Sequence, residues 1–179
     1  EKLNLKDAYV LGVSQGGMIG QYLALDHPEL VSRLVLGVTS PAANDMIRKN
    51  ISSWVSMAES SDMKGIIKDY LYSTYSDAYI RRMKPFLWLV VRMTKMMPKE
   101  RFVICAKACL TCDTLDRLDQ LRCPCLVLGG EKDKVVSPEA SRQIAEKTGS
   151  DIYMYEDYGH SAYEEMASDF NRRVKDFFA

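Results

Sequence analysis

The sequence has little histidine and no excess of charge of either sign. Its 179 residues include two histidines, and 24 lysines and arginines balance 24 aspartates and glutamates. Nucleic acids and anionic membranes attract proteins through a strong positive field, which this composition does not provide. We therefore expect neither a nucleic acid nor a membrane as partner. Two histidines also leave few candidates for a histidine general base.

Long hydrophobic runs and secretion signals are also missing. The longest apolar run near the middle of the chain, residues 86–91, has six residues. A helix that crosses a bilayer needs about 20. No charged segment followed by an apolar one stands at the N-terminus. Nothing therefore signals secretion, and we expect a cytoplasmic protein.

The five cysteines do not form a metal-binding motif. Cys105, Cys109 and Cys112 share one face of a predicted helix, and Cys123 and Cys125 flank a proline. Neither group has pairs at zinc-ribbon spacing, and no histidine is near in sequence. No glycine-rich phosphate loop follows a predicted strand. We expect free thiols in a reducing compartment, no metal site and no cofactor.

Short apolar strands alternate with helices at both ends of the chain. The predicted elements are strands at 8–13, 34–38, 125–128 and 152–155, helices at 16–25 and 138–147, and a final helix with Phe170, Val174, Phe177 and Phe178 on one face. This pattern predicts an α/β fold with a mostly parallel sheet of about four strands flanked by helices. Residues 41–118 show helical patterns and no convincing strand. We therefore expect a helical cap inserted between two core segments, 1–40 and 119–179.

Residues 12–16 read Gly-Val-Ser-Gln-Gly, directly between a predicted strand and a predicted helix. A serine in a sharp strand-to-helix turn needs strained backbone angles, and we expect Gly12 and Gly16 to remove collisions around it. The backbone N–H of Gln15 would stand at a helix N-terminus, where negative charge is stabilised. In this context the motif resembles that of the α/β-hydrolase family. The resemblance implies that Ser14 is the nucleophile and that Gln15 donates to the oxyanion.

A nucleophilic serine needs a base that is held in position by a third group. His27 ends the first predicted helix, away from the carboxyl ends of the strands. His160 follows strand 152–155 and precedes the last helix, at the edge where open parallel sheets carry their sites. We predict that His160 is the base.

Asp133 is the predicted acid. It follows strand 125–128, where the family carries its acid, and the order serine, aspartate, histidine matches the family order. Asp45, after the second strand, is the alternative. Asp157 and Glu131 are expected to shape their loops or to remain solvated.

The resemblance implies a serine hydrolase that acts on a small, largely apolar ester, lactone or thioester through an acyl-enzyme. We expect the substrate to contact apolar residues of the cap, namely Trp54, Met57, Phe86, Trp88 and Val90. Two alternatives stay open. The chain could be a hydrolase-like protein that binds a ligand, or an incomplete and inactive hydrolase.

The resemblance covers residues 7–40 and 119–179 well and the cap loosely. The first strands of the family, and the loop that gives the second oxyanion donor, would precede residue 1. The chain also begins without methionine. Strand 8–13 would then be an apolar edge. We expect it to pair with a second copy, in a homo-oligomer, or with an N-terminal half of the same protein.

Overall fold

The computed structural model describes residues 5–179, so the first four residues of the expected core segment 1–40 lie outside the described residues. Four parallel strands form one sheet in the order of the chain: β1 (Ala8–Val13), β2 (Val31–Gly37), β3 (Cys125–Gly130) and β4 (Asp151–Tyr155). The predicted parallel sheet flanked by helices is confirmed.

Strand β2 begins at Val31, three residues earlier than the apolar pattern indicated. Ser32 and Arg33 interrupt the run of apolar side chains, yet Arg33 pairs in register with Tyr9 of β1. Backbone pairing, which does not depend on side-chain polarity, therefore sets the start of this strand.

Helices occupy both faces of the sheet and the long segment between β2 and β3. Their bounds are α1 Gln15–Asp26, α2 Asp45–Glu59, α3 Met63–Thr74, α4 Asp77–Met83, α5 Leu87–Met93, α6 Lys99–Leu110, α7 Pro138–Thr148, α8 Ala162–Glu165 and α9 Ala167–Phe178. Short 3₁₀ helices cover Pro28–Leu30, Lys84–Phe86 and Leu115–Gln120. None of the helices in residues 5–179 is long and apolar enough to cross a bilayer.

The side chains of β2 alternate between two apolar clusters. Leu34 and Leu36 are buried in one cluster with Ile144 of α7, whereas Val35 is buried in the other with Phe170 of α9. Both faces of the sheet are thus covered, as a parallel sheet requires. This packing fixes the positions of the loops that leave the strands.

The helical segment between β2 and β3 contacts the loop that follows β3. The side chain of Asn44 donates a hydrogen bond of 2.8 Å to the carbonyl of Val136, and that of Asn50 donates one of 2.7 Å to the carbonyl of Lys134. A third apolar cluster forms between these helices and the loop, and includes Trp54. The helical segment is therefore held at the carboxyl edge of the sheet.

Candidate active site

Ser14 stands at the turn between β1 and α1 with a φ of 53° and a ψ of −123°. Residues other than glycine rarely adopt these backbone angles, and the conformation costs free energy. Strand β2 and the residues after it hold the turn in place. The N–H of Ser14 donates to the carbonyl of Gly37 at 2.9 Å, and its carbonyl accepts from the Thr39 hydroxyl at 2.7 Å.

The glycines around Ser14 differ in the space that a side chain would have at each of them. A Cβ at Gly12 would lie 2.5 Å from the carbonyl oxygen of Gly16, so the expected need for glycine at residue 12 is confirmed. The same expectation for Gly16 is wrong, because a Cβ there meets nothing within 4 Å among the described residues. Gly17 is needed instead, since a Cβ at that residue would lie 2.6 Å from Thr39.

The structure brings Ser14, Asp133 and His160 together. His160 Nε2 lies 2.8 Å from Ser14 Oγ, and its Nδ1 lies 2.9 Å from Asp133 Oδ2. A carboxylate can only accept, so Nδ1 carries the ring proton and Nε2 is free to accept the serine proton. His27, by contrast, is exposed at the end of α1.

Asp133 is buried and its carboxylate is fully hydrogen-bonded. While Oδ2 contacts the imidazole, Oδ1 accepts from the backbone N–H groups of Val135 at 2.8 Å and Val136 at 3.0 Å. These bonds from the loop after β3 fix the orientation of the carboxylate and compensate for its burial.

The other acids considered from the sequence lie elsewhere. Asp45 is exposed at the first residue of α2. Asp157 forms an ion pair of 2.7 Å with Lys132, and Glu131 forms one with Arg142. The acid that contacts the imidazole is therefore the one that follows β3.

Gln15 begins α1, and its backbone N–H has no acceptor among the described backbone carbonyls. The first N–H groups of a helix have no intrahelical partner, so this donor is available to an anion beside Ser14. The side chain of Gln15 makes a contact that the sequence did not indicate. Its Nε2 donates to the carbonyl of Cys105 in α6 at 2.7 Å.

A cavity of about 180 Å³ opens beside Ser14. Its walls are largely apolar and include Ile47, Ile51, Trp54, Phe102 and Val136. Within the described chain, no aspartate, glutamate, lysine or arginine lines it. The indole N–H of Trp54 donates to Asp69 at 2.6 Å, which satisfies the polar atom of this side chain.

Of the five residues predicted to contact substrate, Trp54 alone lines this cavity. Met57 is half-buried against the neighbouring apolar cluster. Phe86 and Trp88 are 56% and 66% exposed, and Val90 is half-buried. None of these four residues lines the cavity. Trp88 and Val90 lie on α5, which packs against α3, and Phe86 directly precedes that helix.

The cysteines described here are free thiols. Burial raises the pKa of Cys112 to about 11 and that of Cys125 to about 12, so both stay protonated at neutral pH. Within residues 5–179, no group of three or more histidine, cysteine, aspartate or glutamate side chains is arranged to hold a metal ion.

Comparison with known proteins identifies the family. A family model described as alpha/beta hydrolase fold matches residues 1–167. Among curated relatives, mouse (Mus musculus) Serine hydrolase BPHL is 25% identical over 183 residues, which cover 98% of this chain and 56% of the relative.

Solved structures show the same fold. MGS-M2, an alpha/beta hydrolase enzyme from a deep-sea metagenome library, superposes with a TM-score of 0.90 at 19% identity, over 99% of this chain and 66% of that one. The enol-lactonase from Burkholderia xenovorans gives a TM-score of 0.84 at 22% identity, over 98% and 67%. This chain thus spans about two thirds or less of the length of these proteins. The match over nearly the whole chain shows that it belongs to the alpha/beta hydrolase fold family.

Proposed function

We propose that the chain carries the catalytic centre of a serine hydrolase that cleaves a small, largely apolar ester, lactone or thioester. The observation that carries this proposal is the hydrogen-bonded line from Ser14 through His160 to Asp133. The names of two similar proteins, a serine hydrolase and an enol-lactonase, are consistent with it.

In the acylation step, Ser14 Oγ attacks the carbonyl carbon of the substrate while His160 Nε2 takes the hydroxyl proton. The carbonyl π electrons move to oxygen, and the buried carboxylate of Asp133 stabilises the imidazolium that forms. When the tetrahedral intermediate collapses, the bond to the leaving group breaks. The imidazolium then returns its proton to the leaving oxygen or sulfur.

In the deacylation step, water attacks the acyl-enzyme and the same imidazole takes its proton. The new intermediate releases the carboxylic acid, and Ser14 regains its proton from His160. The buried hydrogen bonds of Asp133 hold the ring in one orientation and keep its neutral form protonated on Nδ1 at the start of each step.

The developing oxyanion needs donors, and the backbone N–H of Gln15 supplies one. Each such donor contributes a factor of about 10²–10³ to the rate. The family takes its second donor from a loop after an early strand, ahead of the segment that this chain resembles.

Residues 41–118 serve as the cap over this centre in our proposal. Helices α2 and α6 contribute Ile47, Ile51, Trp54 and Phe102 to the cavity wall, which supports this division of the chain. An apolar wall without charged side chains favours an uncharged acyl group, because a carboxylate there would lose its hydration without gaining a partner.

A fluorophosphonate probe tests the nucleophile. We expect it to label Ser14, the Ser14→Ala variant to remain unlabelled, and His160→Ala to react slower by orders of magnitude. Asp157→Asn, a change in an exposed ion pair, is the matched control and should label normally. Labelling that persists in Ser14→Ala would place the reactive residue elsewhere.

An activated ester separates the hydrolase from the alternatives. A hydrolase releases the alcohol in a burst and then turns over. A burst without turnover would favour the ligand-binding alternative, and the absence of both would favour an inactive chain.

A further inference from the structure

The cavity beside Ser14 shares a wall with a second cavity on the outside of α1 and α6. This outer cavity has a volume of about 280 Å³. Gln15, Met18 and Cys109 line both cavities. These three side chains therefore form the partition between the two spaces. The outer cavity is completed by Ile19, Tyr22, Ala108, Thr111 and Cys112.

Two hydrogen bonds stand at the two ends of the partition. Next to Ser14, the Gln15 side chain donates to the carbonyl of Cys105 at 2.7 Å. At the far end, the Tyr22 hydroxyl donates to the carbonyl of Asp113 at 3.2 Å. Between these two bonds the wall consists of Met18 and Cys109, which pack in the same apolar cluster.

The partition is made of side chains that can move. Methionine is unbranched and has three rotatable bonds, so it adapts to an irregular space at little cost. Cys109 is small, and the flexible side chain of Gln15 donates its amide hydrogen bond to the carbonyl of Cys105 in α6. Met18 and Gln15 are therefore the side chains that have to rotate for the two cavities to join.

The inner cavity alone limits the size of the acyl group. An apolar cavity of about 150 Å³ holds one benzene molecule, so 180 Å³ suits an acyl group of about six carbons. An acyl chain of ten carbons exceeds this space. The outer cavity is the adjoining space into which such a chain can continue.

We propose that the outer cavity is a second acyl subsite, which takes the far end of an unbranched, uncharged acyl chain that passes between Gln15, Met18 and Cys109. This inference rests on the proposed hydrolase function and adds that the enzyme accepts long acyl chains. Each methylene that leaves water for the outer cavity raises kcat/KM by about fourfold when it is fully buried.

The test compares p-nitrophenyl acetate with p-nitrophenyl decanoate. Ala108→Phe places a ring in the outer cavity from an exposed residue that does not line the inner one. We expect it to lower the decanoate-to-acetate ratio of kcat/KM by at least about tenfold, since several methylenes lose their site. Ile104→Phe is the matched control, on the same helix, 68% exposed and lining neither of the two cavities. It should leave the ratio unchanged.

Thr111→Phe is a second variant that places a ring in the outer cavity, from the exposed C-terminal end of α6. A fall in the decanoate-to-acetate ratio with both Ala108→Phe and Thr111→Phe, and not with Ile104→Phe, supports the subsite. If acetate is still cleaved and neither Ala108→Phe nor Thr111→Phe changes the ratio, the subsite is overturned and the hydrolase proposal remains intact. If neither ester is cleaved and Ser14 remains unlabelled by the fluorophosphonate, the hydrolase proposal fails and the subsite fails with it.

Discussion

At the scale of single residues, the turn at Ser14 depends on the space around its backbone. The strained angles of Ser14 are held by hydrogen bonds to Gly37 and Thr39. Gly12 in turn leaves room for the backbone carbonyl of Gly16, in the first turn of α1, to lie against the end of β1. The two glycines of the motif therefore differ in how far the turn depends on them, and the sequence pattern alone does not reveal this difference.

Two glycine-to-alanine substitutions should separate these contributions. Gly12→Ala puts a methyl group 2.5 Å from a backbone oxygen, and we expect a loss of about 1–3 kcal/mol of unfolding free energy together with most of the activity. Gly16→Ala meets open space within the described residues and replaces a poor helix former, so it should raise stability by up to about 1 kcal/mol. Urea unfolding measures both. Equal destabilisation by the two changes would contradict the difference in contacts.

The sequence indicated Ser14, His160 and Asp133 because each follows the carboxyl end of a predicted strand, and parallel strands bring those ends to one edge. It did not indicate Gly17, or the bond between Gln15 and Cys105. Both depend on contacts between residues far apart in the chain, Gly17 with Thr39 and Gln15 with α6. Local patterns carry no information about such distances.

At the scale of elements, helix α9 is anchored to the end of β4 by one carboxylate. Asp169 accepts hydrogen bonds from Arg173 at 2.6 Å, from Arg172, and from the Tyr155 hydroxyl at 3.1 Å. The bonds from Arg173 and Arg172 lower the pKa of Asp169 from 3.8 to about 2. This carboxylate therefore links the last helix to the sheet in its charged form.

The Asp169 anchor should weaken in acid. Because folding lowers this pKa, the stabilisation is fully present above pH 4 and is lost as the pH falls towards 2. Asp169→Asn should reduce the unfolding free energy by about 1 kcal/mol at pH 6 and by less at pH 2.5. Urea unfolding at both pH values measures this, with Asp119→Asn, a change at an exposed aspartate of the 3₁₀ helix before β3, as control. A deficit that does not change with pH would show that the charge is not responsible.

The segment from 83 to 97 shows why the substrate contacts were hard to predict. Its apolar residues fit a helical period, but Pro85 lies between α4 and α5 in a 3₁₀ helix, and α5 ends at Met93. Phe86, directly before α5, and Trp88, within it, are exposed. Periodicity identified the helices here, and their packing partners determined which side chains reach the cavity.

At the scale of the whole molecule, β1 is the first strand in the order of the sheet and pairs with β2 on one side. Tyr9 and Leu11 of this strand are 53% and 43% exposed. An apolar strand edge with free backbone groups favours pairing with another chain. We propose that this edge contacts another polypeptide, either a second copy or further chain of the same protein.

For the 179-residue chain itself, we expect self-association through this edge. Light scattering should give a mass above that of the 20.3 kDa monomer, rising with concentration. Leu11→Lys should shift the mass towards the monomer, because a charge on an edge strand opposes pairing. Lys68→Glu, on α3, is the control. A wild-type mass that stays monomeric at every concentration would contradict the expectation.

Ser14 and His160 lie 146 residues apart in the chain, and the whole helical segment comes between them. During synthesis, a chain made only as far as this helical segment has the serine without the imidazole. Under the proposed function, reactivity towards esters would begin only after β4 has joined the sheet and brought His160 to the turn that follows β1.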